Sequence, residues 1–385
     1  VQFLKLILRN ALRHRLRTAL TVLGLVVAIL SFGLLQTVVG AWYAGAEGAA
    51  PTRLVTRNAI SLVFSLPLSY YNQIRTVDGV RTVSYATWFA GIYKDPKNFF
   101  PQFAIEPRTY FSIYPDYVVA PQDLAAFLHD RKGAVIGRKL ANTHHLKVGD
   151  ALPLRGTIFP GTWEFTVRAI YDGADRKVDT SQMFFHWEYL NEAVKKRLRS
   201  RADHVGVYLV DVTDIDRVAE VSHTIDMMFK NSLAETLTET ERAFQIGFVK
   251  QTETLVVAIQ IVSYVVIVII LAVMANTMAM TARERLGEYA MLKVLGFSPV
   301  YVAALILGES VAIAVIGAAL GIVCTFPVSN WFAAKVGTLF PVFEVSGKTV
   351  VLQILCAVGV GIVAAVVPGR RAATVKIVEG LRAIG

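Results

Sequence analysis

A chain of 385 residues that is 54% hydrophobic, 18% charged and formally +10, with a mean hydropathy of +0.50, is far more apolar than a soluble globular protein, in which charged residues make up about a quarter. That composition argues against an ordinary soluble enzyme and for a membrane protein. The two cysteines, Cys324 and Cys356, both fall in apolar stretches, which argues against a disulfide framework or a cysteine-based zinc site.

Residues 1–17 repeat Leu4, Leu8, Leu12 and Leu16 every four positions, with Lys5, Arg9 and Arg13 in the next column and Arg17 closing the run. This pattern predicts a cytoplasmic, interfacial amphipathic helix whose basic side chains meet membrane lipid; a plain positive flank is the alternative. Residues 18–42 predict the first span. Its apolar run of about 25 residues exceeds the ~7–15 of a signal-peptide core, so an uncleaved anchor is expected although Ala44-Gly45-Ala46 resembles a cleavage site.

Residues 43–238 have a globular composition with nearly balanced charge and predict one large α+β domain. "RLVTRNAISLVF" reads as a strand, "PLSYYNQIRTVDGV" as a helix closed at Asp78-Gly79, and "VRTVSYATWFAGIY" as a second strand. "HVGVYLVDV" and the helix over 214–231, with Val218, Val221, Ile225 and Met228 on one face, echo that unit. Between them, residues 95–200 read as a strand-rich insertion. Residues 239–280 hold no proline and one glycine, Gly247, and predict a stalk helix continuous with the second span; a break near Gly247 is the alternative.

Residues 281–299 concentrate mixed charge between two apolar passages, predicting a short cytoplasmic helix. A third span (300–328), an outer loop (329–348), a fourth span (349–367) and a tail (368–385) follow. The fold class is thus a four-span α-helical membrane protein with a large α+β extracytoplasmic domain. Basic residues crowd the regions 1–17, 281–299 and 368–385, placing both termini and the middle loop in the cytoplasm. The basic charge therefore reflects topology and anionic lipid, with no nucleic-acid partner expected.

Motifs for chemistry are scarce. Gly347-Lys348-Thr349 ends like a phosphate loop, but Val342 stands where the earlier glycine is needed. The His144-His145 pair has no partner at ligand spacing, so no metal site is expected, and no Gly-x-Ser-x-Gly elbow occurs. Glu309, an acid within the third apolar passage, is either an interfacial group with a packing or coupling role or a functional intramembrane acid.

Asn276, Arg285, Glu288, Leu292, Lys293, Leu295, Gly296, Glu309, Ser310, Gly317 and Gly321 resemble the pattern of the MacB/FtsX/LolC-type permeases of ABC transporters, also grouped as type VII or mechanotransmission proteins. The stretch "LRHRLRTALTVLGLVVA" is similar to that family's first span. "AVIGRKLANTHHLKVGDALPL", with Gly137, Gly149 and Asp150, and "PGRRAATVKIVEGLR", with Pro368, Arg371, Leu381 and Arg382, are similar to an outer-domain motif and the tail. Lys376-Ile377 departs from the family's Asp-Pro, and no fused ATPase is seen.

The resemblance implies a non-enzymatic permease subunit of the bacterial inner membrane, working as a homo- or heterodimer with a separate cytoplasmic ABC ATPase that binds ATP and Mg. The outer domain would be a porter-like base with an inserted lobe, and a periplasmic adaptor (a membrane fusion protein) is expected. ATPase motion would enter through Arg283, Glu284, Arg285, Glu288, Tyr289, Leu292, Lys293 and Gly296. The function implied is export or extraction of amphiphilic cargo such as lipid, lipoprotein, peptide or hydrophobic drug. The alternative is an FtsX-like signalling complex controlling a periplasmic hydrolase or sensor.

Overall fold

The computed structural model describes residues 15–375 apart from 97, 176–177, 198 and 337–341. The expected amphipathic helix with Lys5, Arg9 and Arg13, and the tail positions Lys376, Leu381 and Arg382, lie outside the described residues. Two compact units divide the chain, an apolar helical one and an outer one that takes in residues 42–251.

Helix α1 (Arg15–Gly48) opens the described chain. The outer unit continues through β1 (Arg53–Asn58), β2 (Leu66–Pro67), α2 (Tyr70–Ile74), β3 (Val80–Trp88), β4 (Gly91–Ile92), β5 (Gln102–Ile105), α3 (Tyr110–Ile113), β6 (Tyr117–Val118) and α4 (Pro121–His129). Next come β7 (Gly133–Gly137), α5 (Arg138–His144), β8 (Ala151–Gly156), β9 (Gly161–Gly173), β10 (Met183–His186) and α6 (Trp187–Arg197). Strands β11 (His204–Val205) and β12 (Val207–Val212), helix α7 (Val218–Met228), β13 (Thr236–Thr240) and α8 (Glu241–Gln251) complete it.

One 11-stranded sheet runs β13-β1-β12-β3-β5-β10-β7-β9-β8-β4, with β6 beside β9. Among the described residues, only β5/β10 and β7/β9 are parallel in it. The strands expected for the insertion are therefore hydrogen-bonded onto the base through β3 and β5 and do not form a separate sheet. Side chains alternate between two cores: Leu54, Val83, Ala104, Ile136 and Phe185 enter one, and Val55, Ala86, Ile105, Val135 and Phe184 the other.

Strand β1 stops at Asn58, short of the predicted end at Phe64. Asn58 Oδ1 accepts the Ile60 N–H at 3.0 Å and Ser61 Oγ accepts the Val63 N–H at 3.2 Å, so local side chains capture donors that a longer ladder would need. The predicted helix in the stretch 67–80 shrinks to α2, while Gly79, at φ +90°, makes the expected turn. In the motif around 137–150, a Cβ on Gly137 would lie 1.9 Å from the Thr180 carbonyl oxygen, and Gly149 sits at φ +98°. Only glycine fits the first position, because backbone cannot yield as a side chain can.

The expected continuous stalk is interrupted at Thr252, between α8 and α9 (Glu253–Glu284), while Gly247 lies inside α8. After α9 come α10 (Leu286–Val294), α11 (Pro299–Val336) and α12 (Gly347–Thr374). Helices α1, α9, α11 and α12 are each long and apolar enough to cross a membrane. Helices α11 and α12 run on through Pro327 and Pro368, past the expected ends at 328 and 367. A proline deletes one backbone bond, but unwinding a helix among apolar neighbours exposes several polar groups, so the helix continues.

Small residues draw the bundle together. A Cβ on Gly317 would meet Leu25 Cβ at 2.6 Å, and one on Gly361 would meet Ala314 Cβ at 2.9 Å. Gln353, fully buried, donates from Nε2 to the Ile29 carbonyl at 2.9 Å and to Thr325 Oγ1 at 3.0 Å, tying α12 to α1 and α11. Ser310 donates to the Gly361 carbonyl at 2.6 Å.

Candidate functional site

The charged stretch of residues 281–299 becomes the short helix α10 set between two spans. Arg285 leaves helical geometry (φ −106°, ψ 16°), ending α9 and starting α10. At the other end Gly296 takes φ +91°; its N–H donates to the Lys293 carbonyl and that of Phe297 to the Leu292 carbonyl. This paired closure is a Schellman motif, and the positive φ is why glycine stands there. Pro299 then opens α11 from its first position.

Side-chain hydrogen bonds fix α10 and its flanks in place. Arg285 Nη1 donates to Glu309 Oε1 at 2.6 Å and Arg285 Nε to Glu288 Oε2 at 2.8 Å. Both Arg285 and Glu309 are buried. Lys293 Nζ donates to the carbonyls of Ala373 at 2.7 Å and Val375 at 2.8 Å, satisfying acceptors that the end of α12 leaves open. Arg17 forks onto Glu284 at 2.7 and 2.8 Å, joining the start of α1 to the end of α9.

Tyr289 is the apolar anchor. It packs with Ala282, Val302, Ile306, Ala365 and Ala372, with the Arg285 guanidinium 5.4 Å from its ring centre. Burial pushes its hydroxyl well above the ordinary tyrosine range, and among the described residues that hydroxyl has no hydrogen-bond partner.

The residues expected to receive motion thus separate into two sets. Arg285 and Tyr289 are buried and fasten the helix, with Leu292 and Lys293 half-buried beside them. Arg283, Glu284, Glu288 and Gly296 are exposed, as are four apolar residues outside the expected set, Met291, Val294, Leu295 and Phe297. The result is a mixed polar and apolar face on a rigidly held helix. Glu309 was legible as an unusual acid, but its partner was not: the i,i+3 spacing pointed Arg285 to Glu288 alone.

The outer unit has its own anchor, which no sequence motif marked. Arg53 Nε donates to Glu241 Oε2 at 2.6 Å and Nη1 to Asp116 Oδ2 at 3.0 Å. Tyr114 donates to Glu241 Oε1 at 3.0 Å and lies under the guanidinium, 4.5 Å away. Burial by itself lowers the Arg53 pKa, yet Glu241 and Asp116 more than offset it and hold it above the usual range. The residues where the chain enters and leaves this unit, at β1 and α8, are thereby clamped together. The turn after β1 presents exposed Ile60, Val63 and Phe64, and Leu233 is exposed in the segment that leads into β13; Ala59 and Glu235 join the two segments by a backbone hydrogen bond.

Two family models match the chain. The family model for the MacB-like periplasmic core domain matches residues 18–226, and that for the FtsX-like permease C-terminal region matches 260–377. An uncharacterized ABC transporter permease of Methanocaldococcus jannaschii, MJ1507, is 23% identical over 399 residues, covering 97% of this chain and 96% of its own. Among solved structures, the periplasmic region of MacB from Actinobacillus actinomycetemcomitans is similar at a TM-score of 0.38 and 10% identity, covering 54% of this chain and 95% of that one. The extracellular domain of the noncanonic ABC-type transporter YknZ from Gram-positive bacteria gives a TM-score of 0.35 at 12% identity, covering 49% of this chain and 98% of that one. Since the periplasmic-core match alone takes in more than half of the sequence, and the permease match covers the charged helix and the spans around it, the chain belongs to the MacB/FtsX-type ABC transporter permeases.

Proposed function

We propose that this permease subunit receives the motion of a cytoplasmic ABC ATPase at α10 and passes it to the outer unit, which moves amphiphilic cargo. The observation that carries the reading is the Arg285–Glu309 pair. A buried ion pair adds little net stability over an apolar substitute, but it fixes α10 to α11 so that a push on one displaces the other. ATP and Mg belong to the ATPase partner that membership in this family implies. The exposed face with Glu288, Met291, Val294 and Leu295 is the docking surface for that partner.

In this reading both termini and α10 face the cytoplasm of a bacterial inner membrane, as the basic flanks direct. Two permease subunits pair, and the exposed apolar side of α9, including Val257, Ile261, Val265 and Val268, supports contact with a second subunit or lipid. The exposed Ile60, Val63, Phe64 and Leu233 support contact with an adaptor or with cargo, because apolar groups grouped on a surface favour such partners.

The test reverses charge at Glu288. In a complex reconstituted with its ATPase, Glu288→Arg should abolish amphiphile-stimulated ATP hydrolysis while thermal unfolding stays near wild type. Leu295→Asp, which touches no ion pair, should do the same. Wild-type stimulation in both variants would sink the assignment of α10. Capture of a cell-wall hydrolase by the outer unit, with hydrolysis indifferent to every amphiphile, would favour signalling over transport.

A further inference from the structure

We infer that the groove between the start of α1 and the last turns of α9 is a binding site for an anionic phospholipid. Among the described residues, the groove, about 780 Å³, is lined by Arg15, Leu16, Arg17, Leu20 and Thr21 of α1 and by Val273 and Thr277 of α9. Its chemistry changes along its length. At one end stand two guanidinium groups: Arg17 is held by Glu284, while Arg15 is exposed and has no ion pair among the described residues.

Leu20 and Val273, both exposed, form the other end. At ~1.5 Å per residue, Thr277 and Val273 lie ~10 and ~16 Å along α9 from Glu284. A ligand filling this groove therefore needs an anion at its head and hydrocarbon about 10 Å deeper, which is the build of a membrane phospholipid. The Thr277 hydroxyl donates its proton to the Val273 carbonyl at 2.9 Å, so its oxygen can still accept but offers no donor to an anion. Anion recognition thus falls to the arginines.

Charge decides between occupants. The chain's own segment 1–14 carries Lys5, Arg9 and Arg13 with no acid and would be repelled, whereas an anionic headgroup is attracted by about 1 kcal/mol per basic side chain near the bilayer surface. The site rests on the orientation proposed above only for its leaflet, the inner one.

The experiment reconstitutes the full chain in nanodiscs of equimolar phosphatidylglycerol and phosphatidylcholine, then counts lipids retained on extraction by native mass spectrometry. Wild type should retain phosphatidylglycerol selectively. Arg15→Gln, which leaves the Arg17–Glu284 pair intact, should lower that retention roughly five-fold, the factor equivalent to about 1 kcal/mol. Thr277→Trp, which fills the groove without changing charge, should also lower it. Arg242→Gln, the same charge change in the outer unit, should not.

Equal retention of the two lipids by wild type would overturn the site. So would equal effects of Arg15→Gln and Arg242→Gln, or a photo-crosslinker at position 277 that captures residues 1–14 in place of lipid. Because the readout needs no ATPase, failure of the Glu288 test leaves this result standing, and the reverse also holds.

Discussion

Arg285 has two carboxylates within hydrogen-bonding distance, and they differ in burial: Glu309 is 4% exposed as a residue, while the Glu288 side chain is 43% exposed. The inner pair sets the energetics. Arg285→Ala leaves Glu309 buried without a counter-charge, which costs on the order of 3–5 kcal/mol, and thermal unfolding in detergent should fall accordingly. Replacing both partners by apolar residues, Arg285→Met with Glu309→Leu, should restore most of that stability yet leave amphiphile-stimulated hydrolysis impaired. Recovery of both together would mean the pair serves stability alone. The Arg285–Glu288 contact was readable from i,i+3 spacing. The Arg285–Glu309 contact was not, because Glu309 lies a helix away and its burial depends on how α11 packs.

Helix packing in the bundle depends on absent side chains as much as on present ones. A Cβ on Gly33 would fall 2.1 Å from Gln353 Nε2, whereas nothing lies within 4 Å of a Cβ on Gly359. Gly33→Leu should therefore wedge α1 from α12, break the Gln353 bonds to the Ile29 carbonyl and Thr325, and destabilise by roughly 1–3 kcal/mol or more, as overpacking does. Gly359→Leu should leave unfolding in detergent unchanged or slightly improved, since leucine is the better helix former; equal losses in the two variants would show that close approach is not what Gly33 provides. The spans were legible from hydropathy because a run of about 20 apolar residues has few other fates. Their ends were less so: the apolar runs suggested ends at 328 and 367, and the apolar surroundings carried both helices further, through Pro327 and Pro368.

At the scale of the molecule, the outer unit is joined to the apolar helices through α1 and through α8, Thr252 and α9. Inside that unit, Arg53 and Glu241 lock the two attachment segments, so that a displacement of α8 carries β1 and the sheet with it. Arg53→Met strands Glu241 and Tyr114 in a buried cluster. It should lower the unfolding temperature, and Arg53→Met with Glu241→Leu should regain stability without regaining stimulated hydrolysis. A fully active double variant would remove the clamp from the proposed transmission route. The break at Thr252 belongs to this scale as well: no proline or glycine occupies 252, so nothing local announced it.

Read alone, the sequence determined the class of the protein, the four spans, the two-unit organisation and the location of the charged helix. Each depends on composition or on periodicity within one segment, and the solvent, water or hydrocarbon, acts on every segment separately. Tertiary structure decided which charges meet: Arg17 with Glu284, Arg285 with Glu309, and Arg53 with Glu241 are separated by 267, 24 and 188 positions. A contact between distant residues has no period to read, since it is fixed only when packing brings two helices or a strand and a helix side by side.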